Sequence, residues 1–170
     1  MIDIKFEERL FAPSNVIYLD AVIPNNELFI PFNTLSYFIK LPLHLFDQGL
    51  DPSAASGETW MTLLSRDDSQ TETRVSMPVS VKVPEGNGVF YQELPQRKLS
   101  TVTAYHKGPR HDLEEVYQQT LSQIQAWGLE LGEEAPFINF VNNKHMVVES
   151  ELLTELVFPV KGGVQDDQPA

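Results

Sequence analysis

The sequence contains no cysteine among its 170 residues. That absence excludes a disulfide framework, a thiolate metal site and catalysis by a thiol. Basic residues are also few, since 12 lysines and arginines stand against 24 aspartates and glutamates, which gives a formal charge of −12. A sequence pI near 4.6 argues against binding to nucleic acid, whose recognition needs a basic footprint, and against docking on anionic lipid.

Long apolar runs are missing as well, because no stretch approaches the roughly 18 residues that a membrane-spanning helix needs. The first residues, 1–8, alternate charged and apolar side chains and lack the basic-then-apolar order of a secretory signal. We therefore expect a cytoplasmic protein. The last residues, 162–170, are rich in turn formers and are expected to form a flexible tail.

The histidines give no signal of a metal site. No H-E-x-x-H spacing occurs among them, and a G-x-S-x-G nucleophile elbow is also missing. We interpret the four as surface or turn residues and expect no metal and no cofactor. They are His44, His106, His111 and His145.

The most informative pattern present is an internal repeat. Residues 73–79 and 154–160 both read T-x-φ-x-φ-P-V, where φ is an apolar residue. Each copy alternates with period two, which predicts a strand with one buried face. The prolines, Pro78 and Pro159, lack an N–H and are expected near a strand end or an edge.

The similarity of the two segments extends upstream of this strand. Each begins with a predicted strand and continues through a proline-containing turn, an amphipathic helix and a middle strand, so each reads β-α-β-β. The first helix is expected to end at Pro42, with an apolar stripe of Phe32, Leu35, Phe38 and Ile39. Repeat one covers about 14–83 and repeat two about 94–161, within one domain over 1–161.

Two such repeats predict an α+β fold. We expect pseudo-two-fold symmetry, antiparallel sheets with helices on one face, and a central cleft. The opposite faces carry polar side chains that a dry core would not accept, so the cleft is the expected ligand site. The alternative is that these faces close on each other as core. The polar residues are Tyr18, Asp20, Arg74, Thr101, Thr103 and Glu155.

A series of short motifs follows in the second half of the chain: Leu94-Pro95, His106-Lys-Gly-Pro109, Gly128-Leu129, residues 137–143 and the repeat strand 154–160. In this order they resemble the GyrI-like small-molecule-binding superfamily, which includes effector-binding domains of multidrug-responsive transcription activators and a gyrase-inhibitory protein. The resemblance covers about 94–161 and is only topological over 14–83. It implies the tandem βαββ fold. Because we find no helix-turn-helix pattern before the domain, we expect a stand-alone domain rather than a complete transcription factor.

The resemblance also implies a role for Glu155. Effector-binding members carry a glutamate on the last strand, at the base of an aromatic-lined pocket for cationic or amphipathic ligands. A carboxylate in an apolar strand also costs several kcal/mol to desolvate unless a partner offsets that cost. A cationic ligand would do so, helped by aromatic contacts of about 0.5–2 kcal/mol each. The predicted ligand-binding residues are Glu155, Tyr105, Thr103, Phe140, Trp60, Tyr18 and Arg74.

A structural alternative for Glu155 stays open at this point. The repeat places Arg74 at the equivalent position, so the two side chains could form an ion pair instead. Such a pair would oppose binding of a simple cation, although it would suit a zwitterionic or polar ligand.

Three functions therefore remain open. The leading interpretation is non-catalytic binding of an amphipathic or cationic small molecule near Glu155. The second is an inhibitor or interaction module whose acidic surface engages a basic protein. The third is a hydrolase in which Glu155 acts as general base. It ranks last because residues 138–140 read Ile-Asn-Phe, where relatives often have Glu-x-Tyr.

Overall fold

The computed structural model describes residues 2–141 and 148–161, apart from the side chains of Pro31 and Phe32. The predicted tail at 162–170 lies outside the described residues. Within them the chain forms eight strands and two helices. These are β1 (Ile2–Phe11), β2 (Ser14–Pro24), α1 (Pro31–Asp47), β3 (Trp60–Arg66), β4 (Gln70–Val79), β5 (Phe90–Leu94), β6 (Arg97–Lys107), α2 (Leu113–Ala126), β7 (Phe137–Phe140) and β8 (Leu153–Pro159).

The chain divides into two compact units. The first unit comprises residues 12–96, and the second comprises residues 97–141 and 148–161 together with β1. In the first unit the strands pair antiparallel in the order β3-β4-β2-β5. In the second unit they pair antiparallel in the order β7-β8-β6-β1.

Both units therefore have the same design. Each contains strand, helix, strand and strand in chain order, and each adds a fourth strand beside the first one. The strands with the T-x-φ-x-φ-P-V pattern are β4 and β8, which hold the same place in their sheets. Pro78 and Pro159 lie at the ends of these strands, as their missing N–H groups require. The α+β class, the antiparallel sheets and the β-α-β-β order are confirmed.

The origin of the fourth strand was not predicted. Strand β1 lies outside both predicted repeats, yet it pairs along its whole length with β6 of the second unit. Its counterpart in the first unit is β5, which follows the first repeat and pairs with β2. The period-two alternation of Ile2, Ile4 and Phe6 with charged residues is the signal that predicts such a strand.

The apolar faces of both sheets form the cores of the units. Helix α1 packs on β2 and β4, where Ile17, Leu19 and Val75 are buried. Helix α2 packs on β6 and β1, and the ring of Tyr117 meets that of Phe158 with centroids 5.2 Å apart. Because side chains alternate along a strand, the residues between these apolar positions project from the face away from the helix.

The predicted end and stripe of the first helix are wrong. Helix α1 continues through Pro42 to Asp47. Its buried face carries Thr34, Leu41 and Leu45, whereas Leu35 and Ile39 are 48% and 43% exposed. Apolar residues occur around most of this helix, so periodicity alone does not determine which side is buried.

No helix in the described ranges is both long enough and apolar enough to cross a lipid bilayer.

Candidate functional site

A row of polar side chains crosses the second unit on the sheet face away from α2. Asp3 of β1 pairs with Tyr105 of β6, which pairs with Glu155 of β8, which pairs with Asn139 of β7. Directly opposed residues on neighbouring strands project from the same face. The strand registers thus bring two carboxylates, a phenol and an amide together in one row.

Glu155 lies at the centre of this row, and its side chain is 18% exposed. Its Oε2 atom accepts a hydrogen bond from Nη1 of Arg9 at 3.0 Å and one from Nδ2 of Asn139 at 3.3 Å. Its Oε1 atom receives no hydrogen bond from any of the described residues. The carboxylate is thus held in position through one oxygen while the other stays available.

Tyr105 borders Glu155 on the neighbouring strand. Its hydroxyl donates a hydrogen bond to the Glu7 carboxylate, and Nζ of Lys5 lies 5.6 Å from its ring centroid. Burial, followed by the hydrogen bond to Glu7, raises the pKa of Tyr105 to about 12. At neutral pH the side chain is therefore a neutral phenol, whose hydroxyl is held by Glu7 and whose ring offers an aromatic surface.

A cavity of about 270 Å³ borders this row. Asp3, Tyr105 and Glu155 line it, together with Val141 and Leu153, which are 47% and 41% exposed. Lys107 also contributes, and its Nζ lies 2.9 Å from a carboxylate oxygen of Glu151. The cavity thus combines carboxylates, an aromatic ring and exposed aliphatic surface, a combination that suits an amphipathic cation.

Two predicted site residues of this unit lie elsewhere. Thr103 shares the face of Glu155 but is fully buried, and its hydroxyl lies 3.4 Å from that of Thr101. Phe140 pairs with Thr154 rather than with Glu155, so it projects from the helix side of the sheet. There it is buried beneath the guanidinium of Arg110, 4.4 Å from its ring centroid.

The other predicted residues belong to the first unit. Arg74 donates two hydrogen bonds to Asp20, from Nε at 2.8 Å and from Nη2 at 3.0 Å. Its guanidinium also stacks on Tyr18, 4.2 Å from the ring centroid. Trp60 and Tyr18 are both partly exposed. They lie directly opposite Ser76 of β4, Trp60 on the neighbouring strand β3 and Tyr18 on the other neighbour, β2.

The alternative pairing of Arg74 with Glu155 is thus replaced by two other ion pairs. Each carboxylate has an arginine from its own unit, Arg74 for Asp20 and Arg9 for Glu155. The alternative partner predicted for Glu155 was Arg74, whereas the arginine that pairs with it is Arg9. Arg9 was missed because the partner lies on β1, which the repeat pattern does not include.

Asn139, Glu7 and Asp3 are the other site residues that sequence reasoning missed. Asn139 falls in the predicted middle strand, and strand periodicity was enough to place it on the face opposite to that of Phe140. For Asp3 and Glu7 the signal was the charged face of an alternating segment. Their proximity to Tyr105 required the pairing of β1 with β6.

No group of three or more side chains that could hold a metal ion occurs among the described residues. His44 and His106 are buried, contrary to the expectation of surface positions, and Nε2 of His44 lies 2.7 Å from the carbonyl oxygen of Pro84. His111 is exposed, and His145 lies outside the described residues.

No protein-family model matches the sequence, and no curated protein matches it. Solved structures do match its fold. The C-terminal domain of EcmrR matches with a TM-score of 0.64 and 18% identity, over 93% of this chain and 98% of that one. EcmrR in a DNA complex matches over 93% of this chain with a TM-score of 0.66 and 18% identity, and the present chain spans 57% of its length.

Two further structures share the fold at lower identity. SAV2435 bound to tetraphenylphosphonium matches with a TM-score of 0.55 and 11% identity, over 93% of this chain and 94% of that one. A hydrolase from Listeria innocua matches with a TM-score of 0.54 and 13% identity, over 92% of both chains. These similarities show that the chain has the fold of these proteins, in agreement with the fold that the sequence resemblance implied.

Proposed function

We propose that this protein binds an amphipathic or cationic small molecule beside Glu155 and that binding involves no covalent chemistry. The observation that carries the proposal is the partly shielded Glu155 carboxylate, which keeps one oxygen available at the edge of a cavity. Two structural neighbours add support, because SAV2435 is described as bound to tetraphenylphosphonium and the EcmrR C-terminal domain has the same fold.

The charges around Glu155 favour a cation. The cavity is lined by the carboxylates of Asp3 and Glu155 and by one ammonium group, that of Lys107, whose Nζ lies 2.9 Å from a carboxylate oxygen of Glu151. Two acids against one base leave a net charge of −1 on the lining. A cation placed here gains Coulomb attraction, which is stronger at a partly buried site than in bulk water.

An apolar portion of the ligand also has a surface to contact. Val141 and Leu153, which are both partly exposed, line the cavity together with Tyr105. Covering apolar surface contributes roughly 25 cal/mol for each Å² removed from water. A lipophilic cation would therefore bind more tightly than a small hydrated ion such as potassium.

Isothermal titration with tetraphenylphosphonium tests the proposal. We expect saturable binding that weakens at least about tenfold in Glu155→Gln, since the variant loses the charge but keeps the shape of the side chain. Glu72→Gln is the matched control, because Glu72 is an exposed acid on β4 of the other unit. Equal affinity in both variants, or no binding of any lipophilic cation to the wild type, would refute the proposal.

The contribution of the first unit stays a separate prediction. Tyr18, Trp60 and Arg74 were expected to contact the ligand, and Trp60→Ala tests this directly. A loss of affinity without a change in the unfolding midpoint would support a direct contact. An unchanged affinity would restrict the ligand to the second unit.

A hydrolase remains the enzymatic alternative, and the fold shared with a Listeria innocua hydrolase favours it. In that function Glu155 would accept a proton from water, whereas its Oε2 is already held by Arg9 and Asn139. Mass spectrometry of the ligand after prolonged incubation distinguishes the two functions. Binding requires that the compound is recovered intact, and hydrolysis requires a product that Glu155→Gln fails to form.

Contact with a basic protein is the second alternative, favoured by the formal charge of −12. Such a complex would be held by surface electrostatics, so about 1 M salt, which shortens the screening length to roughly 3 Å, should dissociate it. Binding of a small cation in the Glu155 cavity would persist far better under the same conditions.

A further inference from the structure

The two oxygens of the Glu155 carboxylate have different surroundings. Oε2 accepts hydrogen bonds from Arg9 and Asn139, at 3.0 and 3.3 Å. Oε1 receives none from the described residues, although the side chain is only 18% exposed. A carboxylate oxygen accepts up to two hydrogen bonds, so Oε1 can accept one from a ligand in the cavity. A ligand that donates a hydrogen bond as well as carrying charge therefore matches Oε1 better than one that carries charge alone.

The neighbouring side chains do not supply that donor. The hydroxyl of Tyr105, which borders Glu155 in the row, is already committed to Glu7. On the other side of the row, the amide of Asn139 donates to Oε2. The cavity is also lined by Asp3, which only accepts hydrogen bonds when ionised, and by the aliphatic side chains of Val141 and Leu153. Lys107 lines it too, and its ammonium group lies 2.9 Å from a carboxylate oxygen of Glu151. The remaining lining residues, His106 and Thr154, donate no hydrogen bond to Glu155.

We propose that the Glu155 site selects protonated amines, which carry an N–H, over quaternary ammonium and phosphonium cations, which carry none. This inference rests on the proposed function and specifies the ligand class of the same site. An N⁺–H donor approaches a carboxylate oxygen to about 2.7–2.9 Å, whereas the methyl groups of a quaternary ion keep its charged centre farther away. The protonated amine therefore gains both a charge-assisted hydrogen bond and a stronger Coulomb attraction.

A matched pair of ligands tests the selectivity. N,N-dimethylbenzylamine, protonated at neutral pH, and benzyltrimethylammonium share the same ring and the same charge, and they differ by an N–H in place of a methyl group. Isothermal titration should show about tenfold tighter binding of the protonated amine. The preference should fall to about twofold or less in Glu155→Gln and should be unchanged in Glu72→Gln. Circular dichroism melting curves would check that both variants are folded.

The outcomes separate this inference from the proposed function. Equal affinities of the wild type for the two cations would overturn the selectivity and leave cation binding in place. A preference that persists in Glu155→Gln would overturn the assignment of the acceptor to Glu155. If neither these cations nor tetraphenylphosphonium bind, the proposed function fails and the selectivity fails with it.

Discussion

Two threonines at equivalent positions of the duplicated strand have different hydrogen bonding. Thr73 and Thr154 open the matching segments of β4 and β8, and both are buried. The Thr73 hydroxyl donates to the carbonyl of Ala21 at 2.8 Å. The Thr154 hydroxyl has no hydrogen-bond partner among the described residues. A buried polar atom without a partner costs free energy, whereas a satisfied one contributes about 0.5–1.5 kcal/mol.

Replacing each threonine by valine should therefore change the free energy of unfolding differently. Thr73→Val is expected to lower the free energy of unfolding by about 1 kcal/mol, because the Ala21 carbonyl loses a donor. Thr154→Val should leave it unchanged or raise it, since the hydroxyl it removes is unsatisfied. Urea denaturation of both variants measures the difference. A larger loss in Thr154→Val than in Thr73→Val would contradict this account.

The ion pair at Glu155 is more sheltered than the other pairs on β1. The side chains of Arg9 and Glu155 are 24% and 18% exposed, compared with 69% and 51% for Lys98 and Glu8. Water and salt weaken an exposed pair to a few tenths of a kcal/mol, whereas a sheltered one with good geometry couples more strongly.

A double-mutant cycle measures that coupling. With Arg9→Gln and Glu155→Gln we expect a coupling energy of about 1 kcal/mol. The same cycle on Lys98 and Glu8 should give at most about 0.5 kcal/mol. Equal coupling in the two cycles would show that Arg9 does not hold the Glu155 carboxylate.

His106 should make stability depend on pH. Burial lowers the pKa of His106 from its ordinary value of 6.5, an effect that Asp112 partly opposes. The folded chain therefore binds this proton less readily than the unfolded chain, so the free energy of unfolding falls as the pH drops below about 6.5. The stability difference between wild type and His106→Asn should accordingly shrink between about pH 7.5 and pH 5. A difference that stays constant with pH would contradict the assignment.

Among the elements, helix α1 differs most clearly from what its local sequence predicts. Pro42 lies in its interior, where proline removes an N–H donor and its ring crowds the preceding turn. The side chain of Pro42 is exposed, so its removal loses little packing. The helix continues because Leu41 and Leu45, which flank Pro42 on the buried face, are almost fully buried against the sheet. Tertiary packing thus overrides the local signal for a helix end.

Pro42→Ala should consequently stabilise the protein. We expect the free energy of unfolding to rise by about 1–3 kcal/mol, less than the full cost of an interior proline because the unfolded chain also becomes more flexible. Lys40→Ala, at an exposed position of the same helix, should change it by less than about 0.5 kcal/mol. Thermal or urea denaturation gives both values. A destabilised Pro42→Ala variant would show that α1 requires the proline.

The pairing of the strands determines which side chains meet at the site. Period-two alternation predicted which faces of β4, β6 and β8 are buried, and thereby placed Tyr105 and Glu155 on a shared face. It could not predict that β1 pairs with β6, because edge pairing depends on distant segments rather than on local pattern. That single pairing supplies Arg9 and Glu7, the residues that hold Glu155 and the Tyr105 hydroxyl.

On the scale of the whole molecule, two units with the same strand order carry different charged residues at equivalent positions. Arg74 in one unit and Glu155 in the other occupy the same place in matching sheets, and each is paired with a charge of opposite sign. In the first unit Arg74 binds Asp20 through two hydrogen bonds and stacks on Tyr18. In the second unit Glu155 uses only one of its two oxygens, which makes it the better candidate for a ligand contact.

The sequence by itself determined the α+β class, the twofold β-α-β-β order and the position of Glu155 on a polar sheet face, because these follow from periodicity and from an internal repeat. The tertiary structure alone decided that Phe140 lies on the helix side, that Pro42 lies within a helix and that Arg9 meets Glu155. Strand register and edge pairing are set by the burial of whole surfaces, which no short segment encodes.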